Sequence, residues 1–134
     1  MSENWDDLVE AAMAALEHAY APYSGFKVGA AVRTSDGRIV AGCNVENAAF
    51  PVAICAERVA LAAAVSQGAT GFRALAVVTE AREPSPPCGV CRQALVEFAP
   101  DLPVCSRTTS GIEARWSLRE LLAQPFTSVS LLRK

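Results

Sequence analysis

The chain has 134 residues, enough for one domain of ordinary size and too few for two, so any site must be built inside a single domain spanning residues 1–134. Apolar residues make up 51% and charged ones 19%, a balance that excludes disorder, while a formal net charge of −2 with scattered Lys and Arg offers no footprint for nucleic acid. No apolar run approaches the roughly 20 residues of a membrane span, and the acidic start at residues 1–7 lacks the form of a signal peptide, so the reading is a cytoplasmic protein with no membrane partner.

In residues 4–20, Leu8, Val9, Ala12, Met13, Leu16 and Ala19 or Tyr20 recur at three- and four-residue intervals, which predicts an amphipathic helix ended by Pro22. Residues 26–34 and 39–44 are apolar and β-branched, and Ser35-Asp36-Gly37 between them supplies turn chemistry, which predicts a hairpin. After a loop ending near Pro51, the Ala-rich residues 56–66 predict a second helix closed by Gly68. Residues 74–79 form a buried-strand pattern, and Glu83-Pro84-Ser85-Pro86-Pro87 is a rigid loop in which no helix can start. A third helix is expected over residues 89–98, strands over 104–106 and 112–116, and a last helix opened by the Ser117-x-x-Glu120 capping box. The order α-β-β-α-β-α-β-β-α predicts an α/β fold: a layered sandwich around one mixed sheet.

The cysteines carry the chemistry. In a reducing cytosol five of them point to metal ligands, nucleophiles or small core residues rather than disulfides. Cys88 and Cys91 stand three apart at a helix start, where they share a face and where the helix dipole favours the thiolate that zinc requires. Cys55 stands at another helix start, so three thiols can converge on one ion. Three protein ligands leave a fourth position for water, the arrangement of catalytic rather than structural zinc. Zinc brings the pKa of such a water to about 7. Glu57, two residues from Cys55, should stand beside the ion as a general base rather than ligate it. Three thiolates leave an excess negative charge, and Arg58, adjoining Cys55, is the candidate to offset it by donating to the sulfurs. Cys43 and Cys105 lie in strand-like runs and read as core residues, and His18 reads as structural.

Pro87 ahead of Cys88 completes the Pro-Cys-x-x-Cys signature known for zinc deaminases. From Tyr20-Ala21-Pro22-Tyr23-Ser24 to Leu121-Leu122 the chain resembles the small cytidine deaminases. The matching motifs are Phe26-Lys27-Val28-Gly29-Ala30-Ala31, Gly42-Cys43-Asn44-Val45-Glu46-Asn47-Ala48, Cys55-Ala56-Glu57-Arg58 and Pro87-Cys88-Gly89-Val90-Cys91-Arg92-Gln93. The resemblance implies a three-layer α/β/α sandwich with a mixed five-stranded sheet, one zinc per subunit, a homotetramer, and hydrolysis of cytidine and 2′-deoxycytidine to uridine, 2′-deoxyuridine and ammonia. It also implies that Asn44 and Glu46 hold the ribose, Phe26 packs on the pyrimidine, the backbone N–H of Ala56 holds the base carbonyl, and Glu57 relays protons to N3 and the leaving ammonia. Phe126 is the candidate for a C-terminal Phe that closes a neighbouring subunit's site. Three departures from the family pattern are the displaced Pro125 before Phe126, Phe50 where a Tyr is frequent, and Pro86 where a Ser or Thr usually stands.

Two rival readings are a non-catalytic zinc module that binds protein or nucleic acid, and deamination of another cytosine compound such as a nucleoside antibiotic, a nucleotide or the free base. The missing fourth ligand weighs against the first. Asn44 and Glu46 favour a sugar-bearing substrate, and added carboxylates without a basic cluster disfavour a phosphate.

Overall fold

The computed structural model describes residues 3–132; Met1 and Ser2 of the acidic start, and Arg133 and Lys134, lie outside the described residues. The first helix, α1 (Trp5–Leu16), buries Leu8, Val9, Ala12 and Leu16 and carries Asp6 and Asp7 in its first turn, where the helix dipole favours acids. It ends well before Pro22. Tyr20 is 56% exposed and belongs to no helical stripe: its N–H donates to the Asn44 carbonyl and its own carbonyl accepts from Glu46 N–H, so a strand-like pairing draws the chain out of the helix.

Strands β1 (Val28–Thr34) and β2 (Ile39–Cys43) form the expected hairpin. It starts two residues after the expected position because the Asn44 side chain takes the Phe26 carbonyl and the Val28 N–H, contacts that strand pairing would otherwise use. Helix α2 (Ala56–Ser66) has the expected bounds, and Gly68 follows it at φ +96°, a left-handed conformation suited to glycine. Strand β3 (Phe72–Thr79) runs two residues longer at its start than its apolar core suggests. Helix α3 (Gly89–Val96) stops at its last buried pair, Leu95 and Val96, rather than at Phe98, whose ring packs edge-on against Phe72. Strands β4 (Pro103–Thr108) and β5 (Glu113–Ser117) leave Ile112 in the exposed turn before β5. Ser117 and Glu120 form the expected reciprocal cap, although helix α4 (Leu118–Leu121) is a single turn. A 3₁₀ turn (Phe50–Val52) and a short exposed helix α5 (Ser128–Leu132) had no clear signal in the sequence.

The sheet order is β2-β1-β3-β4-β5, antiparallel except for the β3–β4 pair, hence mixed. Helix α1 covers one face over Ala31, Ala74, Ala76 and Val78, while α2, α3 and α4 cover the other over Ala30, Val32, Leu75, Val77 and Val104, giving three layers. Two glycines let the helices come this close. A Cβ on Gly29 would lie 1.9 Å from the Ala12 carbonyl oxygen of α1, and one on Gly42 would lie 2.7 Å from the Ala60 nitrogen of α2. Among the described residues no helix is long and apolar enough to cross a membrane.

Candidate active site

Helices α2 and α3 start at one end of the sheet, beside the close of β3 and the opening of β1, and their N-terminal positions bring the three expected thiols together. Cys55 is the residue before α2 and Cys88 the residue before α3, while Cys91 lies one turn into α3 and is fully buried. Their Sγ atoms all lie within 4.8 Å of one another, with Cys55–Cys88 at 3.6 Å and Cys88–Cys91 at 3.4 Å. A tetrahedral zinc with bonds of about 2.3 Å holds its sulfurs about 3.8 Å apart, so this donor set fits that ion. The bond from Cys91, helped by Arg58 and Cys88, lowers the Cys55 thiol from 9.0 to about 5, which favours the ligating thiolate. The reciprocal bond and burial push Cys91 up.

Glu57 stands in the first turn of α2, 5% exposed, and is no part of the thiol cluster. Burial is the main force that raises its carboxyl from 4.5 to about 7, with the Cys55 charge adding and Arg58 opposing. Arg58 turns toward the cluster, its Nη2 3.7 Å from Cys55 Sγ, while its buried Nε has no partner among the described residues. Arg92, adjacent to Cys91, does not face the sulfurs: it donates to the carbonyls of Pro87 and Leu121.

A cavity of about 300 Å³ opens onto Cys55, Glu57 and Cys88, and Phe26, Asn44, Glu46 and Ala56 also line it. Its size suits a small ligand. Seven expected site residues thus reach one cavity, from the segment before β1, the loop after β2, and the starts of α2 and α3. The N–H of Ala56 has no backbone acceptor among the described residues, as expected for the first helical position. Asn44 and Glu46 carry a local duty as well. The Asn44 amide bridges Phe26 and Val28, and Glu46 accepts from the N–H groups of Tyr23 and Ser24, both at 3.0 Å, and from the Ser24 hydroxyl. These bonds hold Glu46 below the usual carboxylate range, the Ser24 hydroxyl contributing most. Phe126 is 61% exposed and does not line this chain's own cavity; its carbonyl accepts from Gln93. Ser24 and Ser85, which also line the cavity, escaped the sequence reading, although Ser24 lies inside a motif that it had singled out. Cys105 is core as expected, Cys43 is half-buried at the end of β2, and His18 is exposed just beyond α1.

The family model described as the cytidine and deoxycytidylate deaminase zinc-binding region matches residues 2–106. A cytidine deaminase from Sporosarcina psychrophila is 42% identical over 127 residues, covering 94% of this chain and 93% of the relative. One from Halalkalibacterium halodurans is 43% identical over 122 residues, with 90% and 92% covered. The crystal structure of cytidine deaminase from Burkholderia pseudomallei matches with a TM-score of 0.87 at 46% identity, covering 94% of this chain and 100% of that one. The layered fold around a mixed five-stranded sheet is therefore that of these enzymes, and zinc is the cofactor that the matched region and the thiol cluster share. The chain belongs to the cytidine and deoxycytidylate deaminase family.

Proposed function

We propose that the chain is a cytidine deaminase that converts cytidine and 2′-deoxycytidine, with water, to uridine or 2′-deoxyuridine and ammonia in pyrimidine salvage. The observation that carries the reading is a buried carboxyl with its pKa raised to about 7, lining a nucleoside-sized cavity beside three clustered thiols. Zinc held by Cys55, Cys88 and Cys91 supplies an activated water as the nucleophile for C4 of the base. Glu57 would take one proton from that water and deliver it to N3, then carry the proton of the added C4 hydroxyl to the C4 amino group, which leaves as ammonia as the carbonyl forms, a task for which a carboxyl poised near neutral pH is suited. The Ala56 N–H donates to the base carbonyl, and the Phe26 ring packs on the pyrimidine. Asn44 and Glu46 hold the ribose hydroxyls with the second amide N–H and the oxygen lone pairs that their local bonds leave open. Arg58 offsets the thiolate charge.

The whole chain acts as one catalytic domain in the cytoplasm and assembles as a homotetramer, with Phe126 reaching a neighbour's cavity. Its exposure and its absence from its own cavity support that last role. The test follows cytidine by ultraviolet absorbance, with and without prior stripping of zinc by a chelator, for the wild type and Glu57→Ala. Turnover that needs zinc, and that Glu57→Ala almost abolishes while still binding zinc, supports the proposal. No zinc-dependent loss of cytidine overturns it and directs the search to cytosine antibiotics or a binding role.

A further inference from the structure

The loop between β3 and α3 contains Pro84, Pro86 and Pro87 and so lacks three backbone donors, which limits how far it can be held by its own hydrogen bonds. It is gripped from outside. Arg92 on α3 donates through Nε to the Pro87 carbonyl and through Nη1 to the Leu121 carbonyl, each at 2.7 Å. Its backbone N–H donates to the Cys88 carbonyl at 2.9 Å, so one residue holds the chain on both sides of the Cys88 Cα. Leu121 is the last residue of α4, where a helix leaves carbonyls without intrahelical partners, so the guanidinium also closes that end. Pro87 is fully buried, which leaves the adjoining Cys88 little freedom once its preceding carbonyl is fixed. Farther from Cys88 on the same loop, the Ser85 carbonyl accepts from the buried Ser106 hydroxyl of β4 at 2.8 Å.

We propose that Arg92 is a positioning residue for the metal: its guanidinium bridges Pro87 and Leu121 and thereby sets Cys88 where its sulfur meets those of Cys55 and Cys91. A planar fork can hold two carbonyls in fixed directions at once. A lysine ammonium at the end of a flexible stem holds such a geometry less well. Groups that orient a ligand without touching the ion commonly change metal affinity by about 10- to 100-fold. The proposal rests on the zinc assignment above and not on the identity of the substrate.

The experiment measures zinc affinity by competition with a chromogenic chelator for the wild type, Arg92→Ala, Arg92→Lys and Ser106→Ala, each shown to be folded by circular dichroism at the assay temperature. Arg92→Ala should bind zinc about 10- to 100-fold more weakly, with Arg92→Lys in between. Ser106→Ala, which loosens the loop away from Cys88, should stay within about twofold of the wild type. Wild-type affinity in both Arg92 variants overturns the proposal, and so does an equal loss in Ser106→Ala, which would make general loop rigidity the cause. Should Arg92→Ala fail to fold, Arg92→Lys decides: a loss of threefold or more supports the proposal, and a smaller one overturns it. Wild-type protein that binds zinc and leaves cytidine unchanged overturns the functional reading alone, because the affinity comparison needs no substrate.

Discussion

Replacing Glu57 with Gln should make the zinc-stripped protein more stable at neutral and alkaline pH while destroying activity. The Glu57 carboxyl is raised from 4.5 to about 7, chiefly by burial. Between those values the native state keeps a proton that the unfolded chain has released, so stability falls as pH rises through this window and the full penalty stands above about 7. At about 1.4 kcal/mol per pH unit the penalty comes to about 3 kcal/mol. Gln keeps a similar shape, never ionises and escapes it. Cys55, lowered from 9.0 to about 5 chiefly by its bond from Cys91, stabilises the fold increasingly from about pH 5 to 9. That contribution is common to both proteins and largely cancels in their difference.

The assay is urea unfolding of chelator-treated, reduced wild type and Glu57→Gln at steps from about pH 4 to about pH 8. The stability difference, variant minus wild type, should climb by about 3 kcal/mol across the series. A difference flat to within about 1 kcal/mol would refute both the raised pKa and its attribution to burial. Zinc is removed because a bound cation would itself draw the carboxyl down.

Arg58→Gln removes the charged donor beside Cys55 and should lower kcat about tenfold, as expected for the loss of a charge-assisted hydrogen bond. Steady-state rates and a zinc titration test this, and the idea fails if both are unchanged. Gly29→Ala would place a methyl 1.9 Å from the Ala12 carbonyl oxygen and 2.7 Å from the Leu16 nitrogen, so α1 must back away from the sheet. We expect a loss of about 3 kcal/mol or more in chemical denaturation, at the high end for overpacking because backbone is what must move. A loss under about 1 kcal/mol would show that α1 does not press on β1 this closely.

Much of the fold was legible because it follows from local forces. Residues 56–66 are Ala-rich and bounded by a glycine, and α2 occupies that span; Ser117 and Glu120 are spaced for a reciprocal cap, and the cap forms. The end of α1 was not legible, because what stops the helix is a pairing of Tyr20 with Asn44 and Glu46 across more than twenty residues of chain. Nothing in the spacing of Leu8 to Leu16 reports it. The strands shifted for a similar reason: β1 opens at Val28 because a side chain from beyond β2 claims the preceding backbone.

By itself the sequence determined the chemistry on offer: three thiols at two helix starts, a carboxylate beside one of them, and the motifs of a known family. Those are matters of residue type and short spacing, where helix geometry alone decides which groups share a face. Only the tertiary structure decided how the groups meet. It brought Cys55 within 3.6 Å of Cys88, buried Glu57 so that its pKa rises, and turned Arg58 toward the sulfurs but Arg92 away to Pro87 and Leu121. Burial and long-range hydrogen bonds depend on which surfaces the sheet and helices press together, and no local pattern in the chain encodes that choice.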